Sequence, residues 1–288
     1  MAKLLSGTEA ARSLTDQLQL RCSELKKRGV IPSLCILRVG SDPGDLSYEK
    51  GAGKRCEMCG IRLKTIHLSG DVLQEELLQV IRQQNEDPSV HGVLLLRPLP
   101  SGIDAHLTAN TLLPSKDVDG MTDLSLSGLI TGTKTGFAPC TAEAAMAILD
   151  HYGIDAAGKR AVVIGRSLVF GKPAALMLTQ RNATVTLCHS KTADLPSIAR
   201  QADLLVVACG QARMAGRDFF RPGQIVIDVG IHQGEDGRLC GDVKFDEAQG
   251  IVDAITPVPG GVGAVTTTIL AKHVVEASAT LSNCLDIL

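Results

Sequence analysis

Ala161-Val162-Val163-Ile164-Gly165-Arg166-Ser167-Leu168-Val169-Phe170-Gly171-Lys172-Pro173 runs from a short apolar strand through a turn with a glycine at each end into a helix. Pro173 suits the first helical turn, where a missing N–H removes no hydrogen bond. The start of a helix presents unsatisfied amides, and glycine lets another group approach the backbone closely. Gly165, Arg166, Ser167, Gly171 and Pro173 therefore form a candidate anion site of the kind that holds a dinucleotide pyrophosphate. Ser167 takes the place of the second glycine in the G-x-G-x-x-G pattern, and the bland alternative is an ordinary strand-to-helix turn.

The next strand, Ala183 to Leu187, ends in Cys188-His189-Ser190-Lys191-Thr192. An NAD-binding fold carries an acid near this position to hold the ribose hydroxyls. Here a hydroxyl and a cation replace it, with Arg166 close by. That combination favours the additional phosphate of NADP.

Outward from this unit, helices alternate with short apolar strands, the mark of an α/β chain. Strands are expected at Pro32 to Val39, Ile61 to Leu68 and His91 to Leu96 in the first half. Four more are expected at Ala161 to Ile164, Ala183 to Leu187, Leu204 to Ala208 and Ile225 to Val229. Helices are expected from Gly7 to Arg28, Leu46 to Cys59, Val72 to Gln84, up to His151 from a cap at Thr141, and from Thr266 to Ser282. The pattern divides into an N-terminal α/β domain, 1–135, completed by the helix of 266–288, and a Rossmann-like doubly wound domain, 136–265.

Composition excludes several classes. A formal charge of -2 gives no basic excess for a nucleic-acid partner, and Tyr48 and Tyr152 are the only large aromatics besides five Phe. The apolar runs are too short to span a bilayer, and the N-terminus lacks a signal-peptide pattern, so a cytoplasmic protein is expected. The nine cysteines are scattered and odd in number, which argues against a disulfide framework. Cys56 and Cys59 form a C-x-x-C without a second ligand pair, so they read as helix packing and no metal is expected.

Six blocks then occur in a characteristic order: Pro98-Leu99-Pro100, Lys116-Asp117-Val118-Asp119-Gly120, Pro139-Cys140-Thr141, Gly165-Arg166-Ser167 with Gly171-x-Pro173, His189-Ser190-Lys191-Thr192, and Pro257-Val258-Pro259-Gly260-Gly261-Val262-Gly263. In these the chain resembles the methylenetetrahydrofolate dehydrogenase/methenyltetrahydrofolate cyclohydrolase family, over roughly residues 7–280. The resemblance implies a folate-cleft domain and an NADP-binding domain, tetrahydrofolate derivatives as substrates, and a homodimer. It implies that Asp119 contacts the pterin ring and that Tyr48 lines the folate pocket with Pro98 and Leu99. It further implies that the loop of Pro259, Gly260 and Gly261 closes the cleft, and that Arg166 and Ser190 hold the adenosine phosphate, with His189 and Ile231 also expected on the cofactor side.

Two departures concern hydrolysis. The family carries Lys four residues after this Tyr, one helical turn on and on the same face; here that residue is Ala52. Lys50 and Lys54 stand roughly 200° and 240° around a helix from Tyr48 at 100° per residue, although Gly51 and Gly53 weaken the helix. The family's Gln two residues before Pro-Leu-Pro is Leu96, and strand alternation turns the adjacent Arg97 to the other face. Hydride transfer needs alignment and no general base, whereas hydrolysis needs activated water and moved protons. The expected activity is thus an NADP-dependent methylenetetrahydrofolate dehydrogenase with weak or lost cyclohydrolase. The alternatives are a fully bifunctional enzyme using Lys50 or Lys54, a non-catalytic folate- or nucleotide-binding paralogue, and a dehydrogenase of another carbon–nitrogen substrate.

Overall fold

The computed structural model describes residues 1–133, 135–234 and 237–288. They form two units: Met1–Arg12 with Thr141–Thr266, and Ser13–Cys140 with Thr267–Leu288. The chain opens with strand β1 (Lys3–Leu4) and helix α1 (Gly7–Lys27). The Ser13–Cys140 unit then carries β2 (Ser33–Val39), α2 (Pro43–Cys59), β3 (Arg62–Leu68), α3 (Gln74–Glu86), β4 (Gly92–Leu95), α4 (Ala105–Thr111) and α5 (Asp123–Thr131).

Its sheet is parallel with order β3-β2-β4. Every residue of the central strand β2 is buried, which explains the apolar run of 34–37: helices cover both faces of such a strand. Helix α2 begins earlier than the expected Leu46. Asp42 caps it, accepting from the Gly44 and Asp45 amides at 2.7 and 3.3 Å, and Pro43 follows at the first helical position. A Gly/Asp/Pro cluster that suggests a loop is here a helix start. The helix then runs unbroken through Gly51 and Gly53 to a left-handed Gly60.

The second half continues with α6 (Cys140–His151), β5 (Arg160–Ile164), α7 (Gly171–Gln180), β6 (Thr184–Cys188), α8 (Leu195–Arg200), β7 (Leu204–Val207) and β8 (Ile225–Asp228). A short hairpin of β9 (His232–Gln233) and β10 (Leu239–Cys240) follows, then α9 (Phe245–Gln249), β11 (Ala254–Ile255) and α10 (Val262–Leu281). Six strands form one parallel sheet in the order β1-β11-β8-β7-β5-β6. From β5 the chain moves to β6 on one side and then returns to β7 on the other. The strand order therefore reverses at β5, where doubly wound sheets open a crevice at their carboxyl ends.

Three expectations are corrected. Helix α6 already includes Cys140, so Thr141 lies inside its first turn and is not its cap. Helix α10 starts at Val262, four residues before Thr266, within the glycine-rich stretch. The large sheet has two strands more than the four expected, because β1 and β11 join its edge. None of the described helices is long and apolar enough to cross a membrane.

Candidate active site

The turn after β5 is built by close packing of backbone. Gly165 has φ +121°, and a Cβ there would fall 2.1 Å from the Ala208 carbonyl oxygen at the end of β7. A Cβ on Gly171 would fall 2.0 Å from the Gly165 carbonyl oxygen. Both glycines are thus required by sterics, one for the turn and one for seating α7 against it. Gly171 and Pro173 are buried beneath the turn, while Arg166, Ser167, Leu168 and Val169 are exposed. Ser167 Oγ accepts from the Phe170 amide at 3.2 Å, and no side chain caps α7 itself.

The register pairs Ile164 with Cys188, so the turns after β5 and β6 emerge side by side. The second is a tight loop in which the His189 amide donates to Thr192 Oγ1 at 2.9 Å and the Lys191 amide to His189 Nδ1 at 3.1 Å. His189 is thereby engaged in its own turn, and Ser190 is exposed. An uncapped helix start, a glycine-lined backbone, and an exposed Arg166 and Ser190 fit the pyrophosphate and adenosine phosphate of NADP.

A pocket of about 270 Å³ lies in the same unit, lined by Asp228 to Ile231, Leu239 and Pro257 to Ala264. Ile231, Pro259, Gly260 and Gly261 all belong to its wall. Gly260 has φ +96°, and Gly7 packs so tightly that its Cβ would fall 1.9 Å from the Gly261 carbonyl oxygen. The Gly7 amide donates to the Gly260 carbonyl at 2.8 Å.

In the other unit α2 presents Tyr48. Arg38 on β2 and His67 on β3 clamp its neighbour Glu49, at 2.8 and 3.0 Å. Burial opposes ionisation of Glu49, but hydrogen bonds from Arg38 and His67 outweigh it and hold the carboxyl below its usual range. Burial, then the charges of Asp119 and Cys140, push the Tyr48 hydroxyl well above its ordinary value, so it stays protonated. One turn on, Ala52 is 1% exposed, whereas Lys50 and Lys54 are both exposed. Leu96 is buried. The C-x-x-C cysteines are buried too, and burial pushes the Cys56 thiol up to about 12, as for packing residues.

The Lys116-to-Gly120 turn divides its labour. Lys116 Nζ donates to the Gln84 and Asp87 carbonyls at 2.9 and 2.7 Å. Asp117 accepts from the Met121 and Thr122 amides and from Ser125 Oγ at 3.0, 2.8 and 2.7 Å. Asp117 is therefore the acid that holds this turn's own backbone. Asp119 is half-buried and meets Arg97 Nη2 through Oδ2 at 3.3 Å. This corrects the placement of Arg97: β4 ends at Leu95, so strand alternation no longer governs residue 97. Pro98 is exposed next to it, and Leu99 packs against the apolar core of this unit. Sequence reasoning missed the contact of Arg97 with Asp119; its signal was a cation directly before Pro-Leu-Pro.

Comparison with known proteins decides the family. Residues 5–119 match the model of the tetrahydrofolate dehydrogenase/cyclohydrolase catalytic domain, and residues 139–282 that of the NAD(P)-binding domain. The chain belongs to the tetrahydrofolate dehydrogenase/cyclohydrolase family. Among its relatives is the bifunctional protein FolD of Clostridium botulinum, 45% identical over 96% of this chain and 99% of that protein. The family's bifunctional FolD from Campylobacter jejuni superposes with a TM-score of 0.95 at 40% identity, covering 97% of this chain and 99% of that one. The Trypanosoma brucei member, solved with NADP cofactor and inhibitor, has a TM-score of 0.91 at 33% identity, covering 97% and 98%.

Proposed function

We propose that this family member oxidises 5,10-methylenetetrahydrofolate to 5,10-methenyltetrahydrofolate with NADP, and that its hydrolysis of the methenyl product is weak or absent. When bound, NADP supplies the hydride acceptor. The remaining work falls to the chain: Arg166 and Ser190 grip the adenosine phosphate, and the Gly165 turn brings its amides to the pyrophosphate. Asp119 accepts from the pterin, and the protonated Tyr48 offers its hydroxyl as a donor. Alignment of this kind suffices for hydride transfer, since the bridging nitrogens stabilise the cation that forms.

The observation that carries the second half of the proposal is Ala52. It is buried on the Tyr48 face of an unbroken helix, and Leu96 is buried as well. Neither side chain can carry a proton or orient water. Lys50 and Lys54 are exposed, and no loosening at Gly51 or Gly53 turns them toward Tyr48. A fully bifunctional enzyme using Lys50 or Lys54 is the competing reading, favoured by the names of the relatives; it requires one of these two exposed side chains to leave its observed position and reach the folate.

The deciding measurement follows methenyltetrahydrofolate absorbance at neutral pH with and without enzyme, beside NADP reduction on the methylene substrate. Decay close to the spontaneous rate with normal NADP reduction is expected. A large enzyme-dependent acceleration, lost in Lys50→Ala or Lys54→Ala, would establish the bifunctional reading instead. We also infer a homodimer from the family, to be checked by sedimentation.

A further inference from the structure

Arg97 is the one cation that the described residues bring into direct contact with Asp119. We propose that Arg97 is a positioning residue of the folate site: its guanidinium fixes the Asp119 carboxylate in place and keeps it ionised for the pterin. This deepens the dehydrogenase reading and rests on it.

The geometry comes first. Arg97 lies just past the end of β4, and Asp119 lies in the turn that follows Val118, a fully buried residue. Lys116 and Asp117 are committed to backbone groups of their own unit, which leaves Asp119 as the turn's outward acid. The Arg97 side chain is 33% exposed and that of Asp119 21%, so solvent weakens their attraction only in part. Ala52 and Leu96 are buried and apolar, whereas Arg97 brings a cation to Asp119, the acid whose charge acts on Tyr48.

The chemistry gives this contact a purpose. The pterin ring offers two N–H donors on one edge, and only an ionised carboxylate can accept both. A protonated Asp119 would turn an O–H toward donors. The groups facing Asp119 are Tyr48 from α2, Asp117 from its own turn, Cys140 from α6, His273 from α10, and Arg97. Burial pushes the Asp119 carboxyl up, Arg97 pulls it down, Asp117 pushes it up further, and Cys140 and His273 pull it down, with a net rise. His273 Nδ1 and Cys140 Sγ also donate to the Val118 carbonyl, at 2.8 and 3.1 Å, and their pull on Asp119 is smaller than that of Arg97. Arg97 is thus the largest influence favouring the ionised acid.

The test compares wild type, Arg97→Leu and Arg97→Lys in steady-state oxidation of methylenetetrahydrofolate by NADP from pH 5 to 9. Arg97→Leu is expected to raise the folate KM about tenfold or more at neutral pH while kcat at saturation and the NADP KM stay within about twofold. Its acid limb in kcat/KM for folate should move to higher pH, because Asp119 then takes up its proton sooner. Arg97→Lys keeps the charge and should recover most of the affinity and the wild-type limb. An unchanged folate KM and pH limb in Arg97→Leu overturns the proposal. So does equal damage in Leu and Lys, which would mean that side-chain shape alone matters. Wild type that does not reduce NADP with this substrate sinks the functional reading itself, and with it this inference; turnover with indifferent variants sinks the inference alone.

Discussion

Arg166 stands exposed at the end of β5, beside a strand whose following turn carries Ser190 and no acid. If it reads the adenosine phosphate, Arg166→Ala should raise the KM for NADP by about tenfold or more and leave that for NAD nearly unchanged, a loss typical of a charge-assisted contact. Equal sensitivity to both cofactors, measured in parallel titrations, would remove Arg166 from phosphate recognition. A second residue makes stability depend on pH. Burial pushes the Asp228 carboxyl up to about 7, against the amides of Val243, Asp242 and Gly230, and the Asp242 charge adds to the rise. The folded chain therefore holds this proton more tightly than the unfolded chain, which releases it near its ordinary 3.8. Stability from the protonated group is complete below 3.8 and is lost as pH rises through about 7. Asp228→Asn cannot ionise, so the melting-temperature advantage of wild type over this variant should shrink as pH rises across that window. An advantage that grows with pH would contradict the assignment.

At the scale of the element, the β5-turn-α7 unit is rigid because glycines admit backbone where other residues carry side chains. Gly171→Ala places a Cβ 2.0 Å from the Gly165 carbonyl, and the backbone has to move to relieve it. A cost of about 2–4 kcal/mol is expected, seen as a lower melting temperature and a smaller stabilisation by added NADP. Lys172→Ala, exposed in the same turn, is the control and should change the melting temperature little. This unit was legible in the sequence because its signals are local: an apolar run, two glycines at fixed spacing and a proline in the first helical turn. The same local logic failed at both ends of other elements. Pro43 after Asp42 starts a helix, and Gly263 lies within one, though both residue types usually punctuate. Arg97 was misplaced because alternation was carried two residues past the end of its strand. Residues whose role depends on a partner distant in sequence, such as the Arg97–Asp119 pair, leave only a charge in an unusual place as a trace.

At the scale of the whole molecule, the first twelve residues pack with the dinucleotide unit although most of α1 belongs to the other. Strands β1 and β11 have two residues each, too few for a period-two pattern, so their pairing of Lys3 with Ala254 and Leu4 with Ile255 was invisible in the sequence. The structure makes this segment a support for the glycine loop. Leu5 is fully buried, the Leu5 amide donates to the Ile255 carbonyl at 2.9 Å, and the Gly7 amide donates to Gly260. Tyr152 holds the intervening backbone, its hydroxyl accepting from the Ser6 amide at 2.8 Å. Leu5→Ala removes packed methyl groups and should cost about 2–5 kcal/mol. Because Gly7 backs the loop that walls the pocket, the same change should also raise the NADP KM several-fold before global unfolding sets in. Leu20 lies on α1, which follows this segment, and is 71% exposed, so the effect of Leu20→Ala should stay within about 0.5 kcal/mol. Urea unfolding and NADP titration of both variants provide the comparison. If Leu5→Ala destabilises the chain but leaves the NADP KM at its wild-type value, the N-terminal segment is a staple of the sheet and has no part in holding the pocket loop.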